Sequence, residues 1–260
     1  MPHDHHHDHN TGNEHRALIA AALTGSFMLV EVVAGFLTGS LALIADAAHM
    51  MADSGALILA WLAFRIARRP ADARRTFGWG RFQVLAAFAN GIALILLTLW
   101  IVGEAIGRIG AAPEIDGGPM GVVAVIGLIV NLVAFAVLHG GDRENLNMRG
   151  ALLHVAGDIL GSIAAIIAAI VILTTGWTPI DPILSVLIAM LLLKAASGLV
   201  IQSGRILLEA TPDHVDRDAI AADLAEHTPG VVRIHHMHIW AIAPGRTVAT
   251  LHAVLEAAVC

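Results

Sequence analysis

The chain has 260 residues, 57% of them hydrophobic and 14% charged, with a formal net charge of -6. Soluble domains carry nearer ~25% charged residues, so this composition is that of a membrane protein, and clustered basic residues on an acidic chain exclude nucleic acid as a partner. The single cysteine, Cys260, excludes a disulfide framework and an intrachain thiolate cluster.

Residues 1–15 form a polar tail with six histidines, His3, His5, His6, His7, His9 and His15, a low-complexity pattern suited to metal capture. No basic-then-apolar secretion signal precedes the first apolar span, which is expected to act as its own targeting signal. Six apolar spans follow: Leu18–Leu37, Leu41–Ile66, Phe82–Ile106, Met120–Leu138, Met148–Thr174 and Pro182–Leu208. Each is near or above the ~20 residues a helix needs to cross hydrocarbon. The connections are rich in Gly, Pro, Ser and Thr, as turns are. Arg65, Arg68, Arg69, Arg74, Arg75 and Arg81 surround the second connection, with Arg143, Arg149 and Arg205 on the same side. The positive-inside rule then places both termini in the cytoplasm.

Beyond the sixth span the pattern is that of a small cytoplasmic α+β unit. Asp213–His227 reads as an amphipathic helix with Val215, Ile220 and Leu224 on its apolar side. Val231–Ile242 and Thr247–Glu256 read as strands around the turn Ala243-Pro244-Gly245-Arg246. The expected organisation is a tail (1–15), a six-helix all-α transmembrane bundle (16–209) and a shortened ferredoxin-like domain (210–260). So small a unit must lean on a partner copy or on the membrane domain.

Two copies of one spacing carry the chemistry: His49-x-x-x-Asp53 and His154-x-x-x-Asp158. Residues four apart share a helix face. An ionisable group in hydrocarbon costs several kcal/mol unless paired, hydrated or metal-bound. Two imidazoles and two carboxylates make a complete tetrahedral set for Zn²⁺, which points to an intramembrane metal site and to transport. Asp46 lies on the face of His49, where it could orient the histidine from behind, guide ions inward, or simply be a satisfied cavity residue. Gly157 and Gly161 on the fifth span, facing Ala47, Ala48 and Ala52 on the second, would permit close approach of those two helices.

These segments carry a resemblance. Ser40–Asp53 is similar to the second helix of the cation diffusion facilitator family, and Asn145–Asp158 to its fifth. Glu31, Phe77–Arg81, Asn90, Asn131 and His235–Trp240 also match the family pattern. The resemblance implies a homodimeric, proton-coupled exporter of divalent metal in the cell inner membrane, with zinc as substrate and cadmium or cobalt as further cargo. It implies that His49, Asp53, His154 and Asp158 bind the transported ion, and that Arg81 pairs with Glu209. It implies a regulatory zinc site at His235 and His252, expected to be incomplete because further family ligands are absent from this chain. It implies no site in the second connection, where Arg75 and Trp79 stand at the ligand positions.

Metal binding requires neutral histidine and ionised aspartate, so loading releases protons and protonation expels the ion. An intramembrane zinc protease is the first alternative, but no His-Glu-x-x-His occurs and four ligands leave little room for catalytic water. A membrane sensor that binds zinc without moving it is the second; transport against a pH gradient separates it from an exporter.

Overall fold

A computed structural model describes residues 6–38, 41–109, 117–243 and 245–256. The side chains of Glu31, Asp46, His49 and Asp53 lie outside the described set, although their backbones are helical. Six long helices come first: α1 (His6–Thr38), α2 (Leu41–Ala67), α3 (Arg81–Ile109), α4 (Gly117–His139), α5 (Leu146–Thr175) and α6 (Ile180–Leu207). A short helix α7 (Arg217–His227) and two strands, β1 (Val231–Ala243) and β2 (Arg246–Leu255), complete the chain. Over their described residues, α3, α4, α5 and α6 are each long and apolar enough to cross a membrane.

The helix bounds sit close to the expected spans, with α1 as the exception. It begins at His6, inside the stretch read from sequence as a tail. From His6 to Arg16 the chain carries no proline, and three tertiary bonds hold the latter part of this segment. Asn13 Oδ1 accepts from the Asp142 backbone N–H at 3.0 Å, Glu14 pairs with Arg68 at 2.6 Å, and Arg16 donates to the Val137 carbonyl at 2.8 Å.

The start of α5 is fixed by Asn145. Its side chain accepts from the N–H groups of Asn147 and Met148, and its Nδ2 donates to Gln83 Oε1 of α3 at 2.6 Å. One buried amide thus caps one helix and ties it to another. Asn145→Ala removes both interactions and should cost about 1–3 kcal/mol, read as a lowered thermal unfolding midpoint in detergent micelles.

Two buried clusters organise the bundle. The larger joins Ala17, Ala20 and Ala21 of α1 with Leu57, Ala60 and Phe64 of α2, then Ala134 and Leu138 of α4, then Met148, Ala151 and Val155 of α5. The smaller joins Val84 and Ala87 of α3, Leu146 of α5 and Leu199 of α6. Small residues dominate where helices meet, as expected when packing rather than water exclusion holds helices together in lipid. Large apolar groups face outward instead: Trp100 and Leu173 are each 64% exposed, which suits hydrocarbon and not water.

The cytoplasmic unit hangs from α3 and α6. Arg81 and Glu209 form the expected ion pair at 2.7 Å, and Thr211 Oγ1 donates to the Ile239 carbonyl at 3.1 Å. Glu209 sits at φ 60°, a left-handed conformation that side chains other than Gly and Asn seldom adopt. Asp216 caps α7 by accepting from Asp218 N–H and Ala219 N–H, so the helix starts at Arg217 and Val215 precedes it. No α7 residue is buried, a departure from the apolar side expected there. The strands pair antiparallel, turning at Gly245 (φ 72°), and β1 buries Met237, Ile239, Ile242 and Ala243.

In the α2–α3 connection the Arg75 guanidinium lies 3.9 Å over the Trp79 ring. Asp72 bonds the N–H groups of Arg74 and Arg75 and the Arg75 side chain, which holds its carboxyl below the usual range.

Candidate metal centre

His154 and Asp158 lie one turn apart on α5, both half-buried, with His154 Nε2 enclosed by protein. Asn147 and Ala151, 0% and 1% exposed, continue the same stripe toward the start of the helix. That stripe meets α2, because Asn147 Nδ2 donates to the Ala60 carbonyl at 2.8 Å. From this bond, two helical turns along α5 reach His154, and two turns back along α2 reach Asp53. One further turn on each helix reaches Asp158 and His49.

Helix α2 is held from three sides over the short stretch Ser54 to Ala60. Thr24 of α1 bonds Ser54 at 3.4 Å, Asn90 of α3 donates to the Ala56 carbonyl at 3.3 Å, and Asn147 of α5 takes Ala60. Sequence reading singled out Asn90 through its family resemblance and did not single out Asn147. The signal was present, since Asn147 shares the heptad stripe of His154 and Asp158. Asn131 of α4 is also buried, and its Oδ1 finds no donor among the described residues.

The α2 residues expected to face Gly157 and Gly161, namely Ala47, Ala48 and Ala52, have side chains outside the described set. A Cβ at Gly157 would come within 3.2 Å of Leu192, so this glycine admits close approach of α6. At Gly161 a Cβ would meet nothing within 4 Å among the described residues. Among the described residues, Ala60, Leu57 and Ala151 pack in the cluster that joins α2 to α5.

On the cytoplasmic unit, His235 and His252 are directly paired across the two strands. Strict alternation would put His236 on the opposite face from His235. An irregularity in strand register lies between His235 and His238, and His236 has φ 51°, which turns its ring back toward the pair. His235, His236 and His252 therefore present ligand atoms within 4.8 Å of one another. Partial burial, then the neighbouring His236, Arg233 and His252, hold the His235 pKa below the ordinary imidazole value. His238 stays apart, paired with Thr250.

A multi-pass helical membrane domain with His154 and Asp158 half-buried inside it, followed by a small unit with clustered histidines, has the make-up of a metal-transporting class. Comparison with known proteins gives the same class. The model of the cation efflux transmembrane domain matches residues 17–208, and that of the cation efflux protein cytoplasmic domain matches residues 212–259. The chain belongs to this family, whose members are transporters and not enzymes.

It is 48% identical to zinc transporter ZitB of Escherichia coli over 257 residues, covering 97% of this chain and 82% of that one. It is 45% identical over 255 residues to the metal cation efflux system protein CzcD of Cupriavidus metallidurans, covering 98% and 80%. It is 44% identical over 253 residues to the cadmium, cobalt and zinc/H(+)-K(+) antiporter of Bacillus subtilis, covering 96% and 81%.

Proposed function

We propose that this protein exports Zn²⁺, with Cd²⁺ and Co²⁺ as further cargo, from the cytoplasm in exchange for protons. His49, Asp53, His154 and Asp158 bind the ion in transit, and Asp46 orients His49 from behind. The observation that carries this reading is the placement of His154 and Asp158, half-buried on the α5 stripe that meets α2. The relatives named for zinc, and for cadmium, cobalt and zinc, support the substrate class.

Charge arithmetic supports the donor set. Two aspartates neutralise Zn²⁺, so the loaded site is uncharged overall and costs little to hold in a low dielectric. Imidazole nitrogens favour zinc and its neighbours over harder, oxygen-seeking ions. In the empty site, protons on the same groups replace the metal charge for the return. Loading at cytoplasmic pH and release on the more acidic side follow from that competition.

The protein works as a homodimer in the inner membrane with both termini cytoplasmic. Residues 16–209 form the transport domain and residues 210–260 the cytoplasmic domain. His235, His252 and His236 form a regulatory zinc site. In an Asp158→Ala background, where the transport site is disabled, His236→Ala should weaken zinc binding at least ~10-fold by calorimetry. Because His235 favours its neutral form, protons displace zinc from this triad only at lower pH than from ordinary imidazoles. Unchanged affinity in the His236 variant would remove it from the site.

The test of the function is zinc flux in proteoliposomes under an imposed pH gradient. Flux that follows the sign of the gradient supports exchange. Tight zinc binding without flux would leave a sensor.

A further inference from the structure

We infer that Asn147 sets the axial register of α5 against α2 and thereby tunes which metal the transport site accepts. This positioning role rests on the four-ligand reading proposed above. The Asn147 side chain is fully buried, and Nδ2 reaches the Ala60 carbonyl at 2.8 Å. That carbonyl lies within α2, so the bond senses the backbone position of the neighbouring helix and not a movable side chain.

The other half of the amide carries the argument further. Asn147 Oδ1 is buried and finds no donor among the described residues. Buried amides kept for stability normally satisfy both ends, whereas the acceptor of this one meets no donor among the described residues. A leucine of similar size would fill the same space without that penalty. The position is thus poorly explained by stability and well explained by alignment.

Alignment matters here because the tolerance is narrow. Zinc demands ligands at about 2 Å in a tetrahedron, while a helix can slip by fractions of its 5.4 Å pitch. The distance from Asn147 to His154 equals that from Ala60 to Asp53, seven positions on each helix, so an axial slip at the bond is transmitted undiminished to the ligands. The bonds from Thr24 and Asn90 fix α2 against α1 and α3, and the Asn147 bond fixes α5 against the α2 backbone. With that bond lost, the site would relax toward a wider geometry, which disfavours zinc more than the larger cadmium ion.

The experiment compares wild type, Asn147→Leu and Asp158→Ala in proteoliposomes, measuring half-saturating zinc and cadmium concentrations for flux and thermal unfolding in detergent. For Asn147→Leu the half-saturating zinc concentration should rise at least ~10-fold and that of cadmium less than ~3-fold, with no fall in unfolding midpoint. An unchanged zinc-to-cadmium ratio, with or without a lowered midpoint, would overturn the inference and leave Asn147 a packing residue. Should the leucine variant fail to fold, Asn147→Ser, too short to reach Ala60, is expected to show the same change in ratio, and an unchanged ratio there overturns the inference equally. Full zinc flux in Asp158→Ala would overturn the site reading itself, a failure recognisable without reference to Asn147.

Discussion

Asp158→Ala should lower zinc flux at least ~100-fold while moving the thermal unfolding midpoint by only a few degrees. The loaded site is neutral with both aspartates present. Without Asp158 the bound ion leaves one uncompensated positive charge at membrane depth, a cost of several kcal/mol where each 1.4 kcal/mol is a factor of about ten. The empty variant carries one charge fewer and suffers no such cost, so folding is spared. Flux in proteoliposomes and a thermal melt on the same sample separate the two effects. Wild-type flux from the variant would remove α5 from the transport site.

The second large effect is on pH. Each imidazole that must lose a proton before binding lowers the apparent zinc affinity by a factor of about ten per pH unit below the ordinary imidazole range of ~6.5. With two such ligands the decline is about 100-fold per unit. The sign is fixed: high pH loads the site and low pH empties it. Half-saturating zinc for transport, measured at a series of symmetric pH values, should therefore rise with a slope of about two. In His154→Ala the slope should drop to about one. A slope that stays at two would show that His154 is not among the titrating ligands.

Much of this was readable from residues alone because the local signals and the tertiary structure agree. The apolar run from Met148 announced the start of α5 within two residues, and the Gly245 turn placed both strands. The Arg81–Glu209 pair followed from resemblance, and its 2.7 Å separation bears it out. What sequence missed depended on neighbours. The extension of α1 to His6 is held by Arg68, Val137 and Asp142, all distant in the chain. Gly157 announced a close approach, and Leu192 of α6 makes one, a contact that spacing along α5 alone does not reveal. Period-two alternation separated His235 from His236, and the irregular backbone at φ 51° reunited them. For His49, Asp53 and Asp46, whose side chains are not described, the reading rests on helical spacing along α2.

The joint between membrane and cytoplasmic domains is an exposed ion pair closing over a residue in left-handed conformation. Exposed charges lose their attraction as counterions gather: the screening length falls from ~10 Å at 0.1 M salt to ~3 Å at 1 M. The Arg81–Glu209 contact opposes the tendency of Glu209 to leave its unfavourable backbone angle. Ionic strength therefore acts on the stiffness of this hinge, so a transporter of particular metal ions has a connection to its cytoplasmic domain governed by all the ions around it.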